Sequence, residues 1–332
     1  MTDYLLNPDV LNDDVQKEPI RTGFGRGLKL AGDNSQSIVA LCADLTESTQ
    51  MHLFRNAHPE RFIEIGIAEQ NLVTVASGLA RAGKVPFISS YAAFSPGRNW
   101  EQIRTTVAIN DQPVKIIGSH AGVSVGPDGA THQMLEDIAL MRVLPNMVVI
   151  APGDSLEAEK ATRAIAENGE PSYMRLAREK TPIISTNDSP FEIGKAYVLR
   201  EGQDISLLGT GALTYQLLIA ADLLAKHGIQ AEVLHVPTIK PLDSETILTS
   251  VRKTGRVLSA EEAQIAGGFG GAIAELLSGD LPTPLLRIGI QDRFGESGTA
   301  DELFDLFGLT GSKIAESVKQ FIDTTPRYHQ GF

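Results

Sequence analysis

The chain has 332 residues, 42% of them apolar, enough to bury a sizeable core in one large or two ordinary domains. Forty-one acidic against 29 basic residues leave a formal charge of -12, and only 6% of residues are aromatic. With no Lys/Arg-rich stripe, general affinity for nucleic acid or an anionic membrane is excluded, and a single cysteine, Cys42, excludes an intrachain disulfide framework and any multi-cysteine metal site.

The first residues, "MTDYLLNPDVLNDDVQKEP", carry acids where a signal peptide needs a basic then an apolar run, and no segment approaches ~18 uninterrupted apolar residues. A soluble, cytoplasmic protein is expected. Short β-branched runs then alternate with longer segments of helical period, the pattern of a doubly wound parallel sheet. Strands are expected at "SIVALCA", which makes Cys42 a small core residue, and at "RFIEI", "VPFISS", "VKIIGS" and "MVVIAP". Helices are expected at "AEQNLVTVASGLARAG", stopped by Gly83, and at "NWEQIRTTVAIN" and "SLEAEKATRAIAENG". The run "REKTPIISTNDSPFEIGKA" has two prolines, a polar cluster and no period, and reads as a link. A second series follows: "DISLLGTG", the helix "ALTYQLLIAADLLAKHG", "AEVLHV", "GRVLSAEE", a helix from "GGFGGAIAELL", "PLLRIGI" and two closing helices in "TADELFDLFGLTGSKIAESVKQFI". The expected class is α/β with two doubly wound, mostly parallel-sheet domains. The expected boundaries are an N-terminal extension 1–20, a first domain 21–180, a linker 181–195 and a second domain 196–332.

Three glycine-rich stretches invite a nucleotide. "GTGALT", Gly209 to Thr214, follows a strand and opens a helix, but Thr214 stands where a dinucleotide fingerprint has its third glycine. The next strand, "AEVLHV", ends in Val236 and offers no acid for a ribose. "GGFGG" at Gly267 to Gly271 and "GFGRG" at Gly23 to Gly27 lack the phosphate-loop lysine and read as tight turns and close helix packing.

Other residues suggest chemistry. Glu69 lies in the first turn of an expected helix, where the macrodipole alone accounts for an acid. Its neighbours Ile65, Ile67 and Val73 would desolvate the carboxyl group and oppose the dipole, favouring a carboxyl group that shares a proton with a ring nitrogen. Tyr91 and Phe94 in "YAAF" follow a strand end, where such sheets face their ligand crevice, and read either as core or as a platform for a flat ring. "SHAGVSVGPDGATHQ" gathers His120, Asp128 and His132 in one glycine-rich loop after a strand. Arg21 and Arg178 carry no local signature, and each alone reads as a surface charge.

Together "GIAEQN", "GPDGATHQ" with "LPNMVVIAP" behind it, "EEAQIAGGFGG" and "GESG" resemble the transketolase family of thiamine diphosphate enzymes. The resemblance runs from Arg21 to about Ile322 and covers only the C-terminal half of a full-length enzyme: the pyrimidine-binding domain and the transketolase C-terminal domain. By that resemblance Glu69 is catalytic, sharing a proton with N1′ of the cofactor's aminopyrimidine, against which Tyr91 and Phe94 pack. Asp44 in "ADLTES" matches an acidic position beside the cofactor. Ser48, Arg21, His120 and Arg178 match the group that receives the sugar phosphate, two arginines suiting a phosphate through paired, charge-assisted hydrogen bonds. Asp128 and His132 match positions that contact hydroxyls near the ketose carbonyl, with His132 assisting proton transfer as the C2–C3 bond breaks.

Two departures qualify the resemblance. In the family the diphosphate and its metal, Mg²⁺ or Ca²⁺, are held by a GDG motif and a later asparagine, and this chain contains no GDG. The resemblance therefore implies a separate N-terminal subunit carrying that motif, an active site built across the interface, and an α2β2 heterotetramer. Asn71 stands after "AEQ" where related synthases often have histidine. The implied activity is that of a split transketolase of the pentose phosphate pathway, moving a two-carbon ketol unit between ketose and aldose phosphates. The alternatives are a deoxyxylulose phosphate synthase fragment, the β chain of a 2-oxo acid dehydrogenase, which has no sugar phosphate to hold, or a non-catalytic subunit that kept the fold.

Overall fold

The computed structural model describes residues 4–328; residues 1–3 of the expected N-terminal extension and 329–332 of the expected second domain lie outside the described residues. In the first half, β1 (Lys17–Pro19) is followed by β2 (Ile38–Cys42), β3 (Phe62–Glu64), β4 (Val85–Tyr91), β5 (Lys115–Ser119), β6 (Val148–Ile150), β7 (Ser172–Arg175) and β8 (Lys180–Pro182). The second half adds β9 (Tyr197–Arg200), β10 (Ile205–Gly209), β11 (Ala231–His235), β12 (Thr238–Lys240), β13 (Val257–Gln264) and β14 (Leu285–Ile290). Two large sheets result, ordered β12-β6-β7-β5-β4-β2-β3 and β14-β13-β10-β11-β9. The fold is α/β with mostly parallel sheets.

The central strands explain that choice. "IVALC" in β2 and "KIIGS" in β5 are buried along their whole length, which demands helices on both faces and therefore parallel crossovers. Only β12 and β9 run antiparallel to their neighbours in these sheets. The strand β12 comes from the second half of the chain yet pairs with β6 of the first, and one apolar cluster runs without a break from Leu41 and Val149 to Val236 and Ile273. Among the described residues no helix is long and apolar enough to cross a membrane.

"GFGRG" lies inside a helix, Ile20–Asn34, that the sequence pattern had hidden. Its glycines let that helix touch the helix Ser155–Glu167: a Cβ on Gly23 would fall 1.7 Å from the Ser155 carbonyl oxygen, and one on Gly27 2.7 Å from that of Glu159. Close helix packing accounts for the motif, and no turn does. "NWEQIRTTVAIN" is not one regular helix but a turn at Trp100–Gln102 that widens into an i→i+5 helix, Ile103–Ala108. There the Thr105 and Thr106 hydroxyls donate back to the Glu101 and Gln102 carbonyls at 3.0 and 2.7 Å, a bond that competes with the regular ladder.

"GTGALT" also has a structural explanation. Thr214 Oγ1 lies 2.7 Å from Nδ1 of the fully buried His235, whose Nε2 lies 2.7 Å from the Glu157 carboxylate of the first half. The turn thus fastens the two halves together.

Candidate active site

In the first sheet the chain steps from β2 outward to β3 and then returns to β4 on the other side of β2. Connections diverge at that point, so the loops after the carboxyl ends of these parallel strands border a crevice. Tyr91 closes β4 opposite Ser119, the last residue of β5, and His120 follows directly. The Tyr91 and His120 rings stack with centroids 3.9 Å apart. Phe94, three residues after Tyr91, lies nearly parallel to it at 18° and 6.2 Å. His132 stands edge-on to Phe94 at 5.5 Å and to Tyr91 at 6.3 Å. Four rings that are up to 41 positions apart in sequence therefore form one cluster, with flat faces presented by Tyr91 and Phe94.

Glu69 is the first residue of the helix Glu69–Arg81 and is 2% exposed. The apolar enclosure expected around it differs in one respect: Ile67 is 76% exposed and so does not cover the carboxylate. Arg98, missed in the sequence, takes that place. Its Nη1 donates to Glu69 Oε2 at 2.8 Å, while its guanidinium lies 5.1 Å from the centre of the Phe94 ring. Asn99 Nδ2 donates to the Glu69 carbonyl at 2.9 Å and fixes the helix start from behind. A cleft of about 600 Å³ opens here, lined by Glu69, Asn71, Arg98 and Gln102 among others. Arg98 is half exposed while Glu69 is nearly fully buried, so the pair links the solvent side of the cleft to a buried acid.

Two guanidinium groups also lie near the ring cluster, close enough to act on His120. Arg178 Nη1 donates to the Val125 carbonyl at 2.6 Å and lies 3.6 Å from Asp128 Oδ1. Arg21 donates to the Arg178 carbonyl, and its buried Nε has no hydrogen-bond partner, a donor free for an anion. Burial, then Arg21 and Arg178 and the neighbouring His132, push the His120 imidazole down to about 3. His120 is therefore a neutral ring at physiological pH, its Nδ1 held 2.8 Å from Ser119 Oγ. His132 Nδ1 pairs in turn with Thr131 Oγ1 at 2.9 Å.

Asp44 and Ser48 share this end of the sheet, one strand over, but make no hydrogen bond or ion pair to the cluster among the described residues. Asp44 has φ +58°, in a loop held by Glu64, whose Oε1 accepts from the Asp44 and Gly66 amides at 2.7 and 3.0 Å. Neither Arg98 nor Glu64 carries a sequence signal of its own. The one usable clue to Arg98 was its place four residues after Phe94 in the same loop.

As a chemical surface, the site offers a buried carboxylate beside an open cleft, two flat aromatic faces, a neutral and a more accessible histidine, and a pair of cations. Those residues fit a flat heteroaromatic ring and an anionic group. No group of three or more His, Cys, Asp or Glu residues placed to hold a metal ion occurs among the described residues.

Residues 16–183 match the family described as "Transketolase, pyrimidine binding domain", and residues 194–314 match "Transketolase, C-terminal domain". The chain is 46% identical over 304 residues to the putative transketolase C-terminal section of Methanocaldococcus jannaschii, covering 91% of this chain and 95% of that one. It is 42% identical over 283 residues to the 6-deoxy-6-sulfo-D-fructose transketolase subunit SqwH of Clostridium sp. (strain MSTE9), covering 85% and 88%. A solved structure titled "Split gene transketolase, inactive beta4 tetramer" aligns at 41% identity with a TM-score of 0.87, covering 93% of this chain and 99% of that one. The chain belongs to the transketolase family, of which it forms the C-terminal section.

Proposed function

We propose that this chain is the C-terminal subunit of a thiamine diphosphate-dependent transketolase whose site is completed by an N-terminal subunit carrying the GDG motif, in an α2β2 assembly. The observation that carries the reading is the convergence of Glu69, the Tyr91–Phe94 platform and the Arg21–Arg178 pair on one end of one sheet. The reaction is transfer of a two-carbon ketol unit from a ketose phosphate to an aldose phosphate. Thiamine diphosphate, when bound, supplies the carbon nucleophile and the electron sink that cleavage beside a ketone requires. Tyr91 and Phe94 would hold its pyrimidine ring, with Asp44 at the rim, while the diphosphate and Mg²⁺ or Ca²⁺ fall to the partner.

This chain's residues then have separate tasks. The Glu69 carboxyl group holds a proton at N1′ of the ring, and Arg98 moves aside into the cleft. Arg21 and Arg178 bind the phosphate of the sugar, joined by Ser48, with His120 donating a hydrogen bond without adding a third positive charge. Asp128 orients the sugar hydroxyls, and His132 accepts the proton of the C3 hydroxyl as the C2–C3 bond breaks. The arginines recognise a tetrahedral oxyanion, so a sulfonated ketose, as named for the Clostridium relative, is the natural competitor to a phosphorylated one.

The test is reconstitution. The purified chain is assayed with xylulose 5-phosphate, ribose 5-phosphate, thiamine diphosphate and Mg²⁺, alone and with an N-terminal partner, and 6-deoxy-6-sulfofructose replaces the donor in a parallel assay. Ketol transfer is expected only in the assembly. Full activity from the lone chain would sink the split site, and no transfer from either donor in the assembly would sink the transketolase reading.

A further inference from the structure

The loop that carries Asp128 and His132 is held by the second half of the chain. Glu262, 3% exposed, lies near the carboxyl end of β13, and its Oε1 accepts from the Ser124 amide at 2.5 Å. Beside it Gly122 has φ +89°, and a Cβ there would fall 2.3 Å from the same oxygen. Only a glycine lets the loop lie this close on the carboxyl group. Two further contacts come from the loop after β14. Gln133 Nε2 donates to the Gly126 and Glu296 carbonyls at 3.0 and 2.8 Å, tying the substrate loop to "GESG". A Cβ on Gly129 would meet Ser297 Oγ at 2.6 Å.

Beneath the loop runs a buried brace. Arg175 at the end of β7 donates to Asp137 at 2.9 Å and to the Glu262 carbonyl at 2.7 Å, so the backbone of Glu262 is located by the first sheet. Tyr173 donates to the same Asp137 oxygen at 2.7 Å. Glu262 is thus rigidly placed, spends one carboxyl oxygen on the loop amide, and leaves Oε2 without a partner. Little of this contributes to the apolar core. Its effect is to fix where residues 122–133 lie.

We propose that Glu262 is a positioning residue for substrate: through the Ser124 amide it holds the 122–133 loop so that Asp128 and His132 face the ring cluster. This gives the C-terminal domain a part in sugar binding, and it rests on the ketol-transfer reading given above. Leaving the buried Ser124 amide without its acceptor corresponds to a change of roughly ten- to a hundredfold.

Glu262→Ala, Glu262→Gln and wild-type chains are compared in two measurements. Amide hydrogen exchange on the full chain, read by mass spectrometry, needs no activity. Peptides covering 122–133 should exchange about tenfold or more faster in Glu262→Ala, with those of β2 and β5 unchanged. In the reconstituted enzyme, Glu262→Ala should raise the KM for the ketose phosphate about tenfold or more with a smaller change in kcat. Glu262→Gln keeps an oxygen to accept the Ser124 N–H and should restore most of both. Unchanged loop exchange in Glu262→Ala, or a Gln variant as impaired as the Ala variant, overturns the proposal. If Glu262→Ala does not fold, Gly122→Ala, which pushes the loop off the same carboxyl group, replaces it in both measurements. A wild-type assembly without ketol transfer refutes the reaction, while the exchange experiment still decides the role of Glu262.

Discussion

The two large sheets end differently. At the carboxyl end of the first, a cleft opens beside Glu69, and the loops after β4 and β5 carry the ring cluster next to it. At the carboxyl end of the second, the same kind of crevice is filled: Glu261 accepts from the Phe269 and Gly270 amides at 2.7 and 2.8 Å, Glu262 takes the Ser124 amide, and the 122–133 loop lies on top. Both ends hold nearly fully buried carboxylates. Burial of an acid is therefore common to both ends; an open space beside it distinguishes Glu69 from Glu262.

The largest expected effect that tests this contrast is at the open end. Glu69→Gln in the reconstituted enzyme should slow exchange of the cofactor's C2 proton by about 10²–10⁴-fold, measured by NMR, while the chain keeps its melting temperature within a few degrees. An unchanged exchange rate would make the two ends equivalent. Next in size, Arg21→Ala removes a donor whose Nε is buried without a partner. It should raise the KM for the phosphorylated sugar roughly ten- to a hundredfold, with a smaller change for a donor lacking the phosphate. Equal losses for both donors would mean that Arg21 supports the fold and does not bind the anion.

The smallest effects, taken per pH unit, are opposite slopes of stability with pH. His120 at the open end is pushed from 6.5 down to about 3, first by burial. The unfolded chain therefore takes up a proton that the folded chain refuses, and stability is complete above pH 6.5 and falls as pH drops toward 3. Glu261 at the filled end is pushed from 4.5 up to about 7, again first by burial. The folded chain keeps a proton that the unfolded chain releases, so stability is complete below pH 4.5 and falls as pH rises toward 7. Each slope is at most about 1.4 kcal/mol per pH unit. His120→Gln should flatten the acid limb and Glu261→Gln the other, as read from urea midpoints across pH. A variant that leaves its own limb unchanged removes that group from the account.

How far the sequence foretold this depended on the kind of signal. β2 and β5 were readable because their buried runs are continuous. The helix Ile20–Asn34 was not, because the glycines that bring it against its neighbour also erase the helical pattern and mimic turns. Helix Ser244–Thr254 and the short strands β7, β9 and β12 were likewise absent from the expected elements. In the site, Glu69, Tyr91, Phe94, His120, Asp128 and His132 stood out because each belongs to a local motif. Arg98 and Glu262 did not, since their partners lie 29 and 138 positions away and only folding makes the pairs. The "EEAQ" run was visible as a motif, but nothing local says that one of its acids would reach across to the 122–133 loop.

The strand β12 has a consequence of a different kind. Thr238 to Lys240 leave the second half to complete the first sheet against β6 and then return to the helix Ser244–Thr254. Two regions that match different transketolase domains are therefore interlaced, and cutting the segment between them would not release two free modules. Melting the edge of the first sheet also withdraws a strand that belongs to the second half, so heat should take both halves through a single cooperative transition.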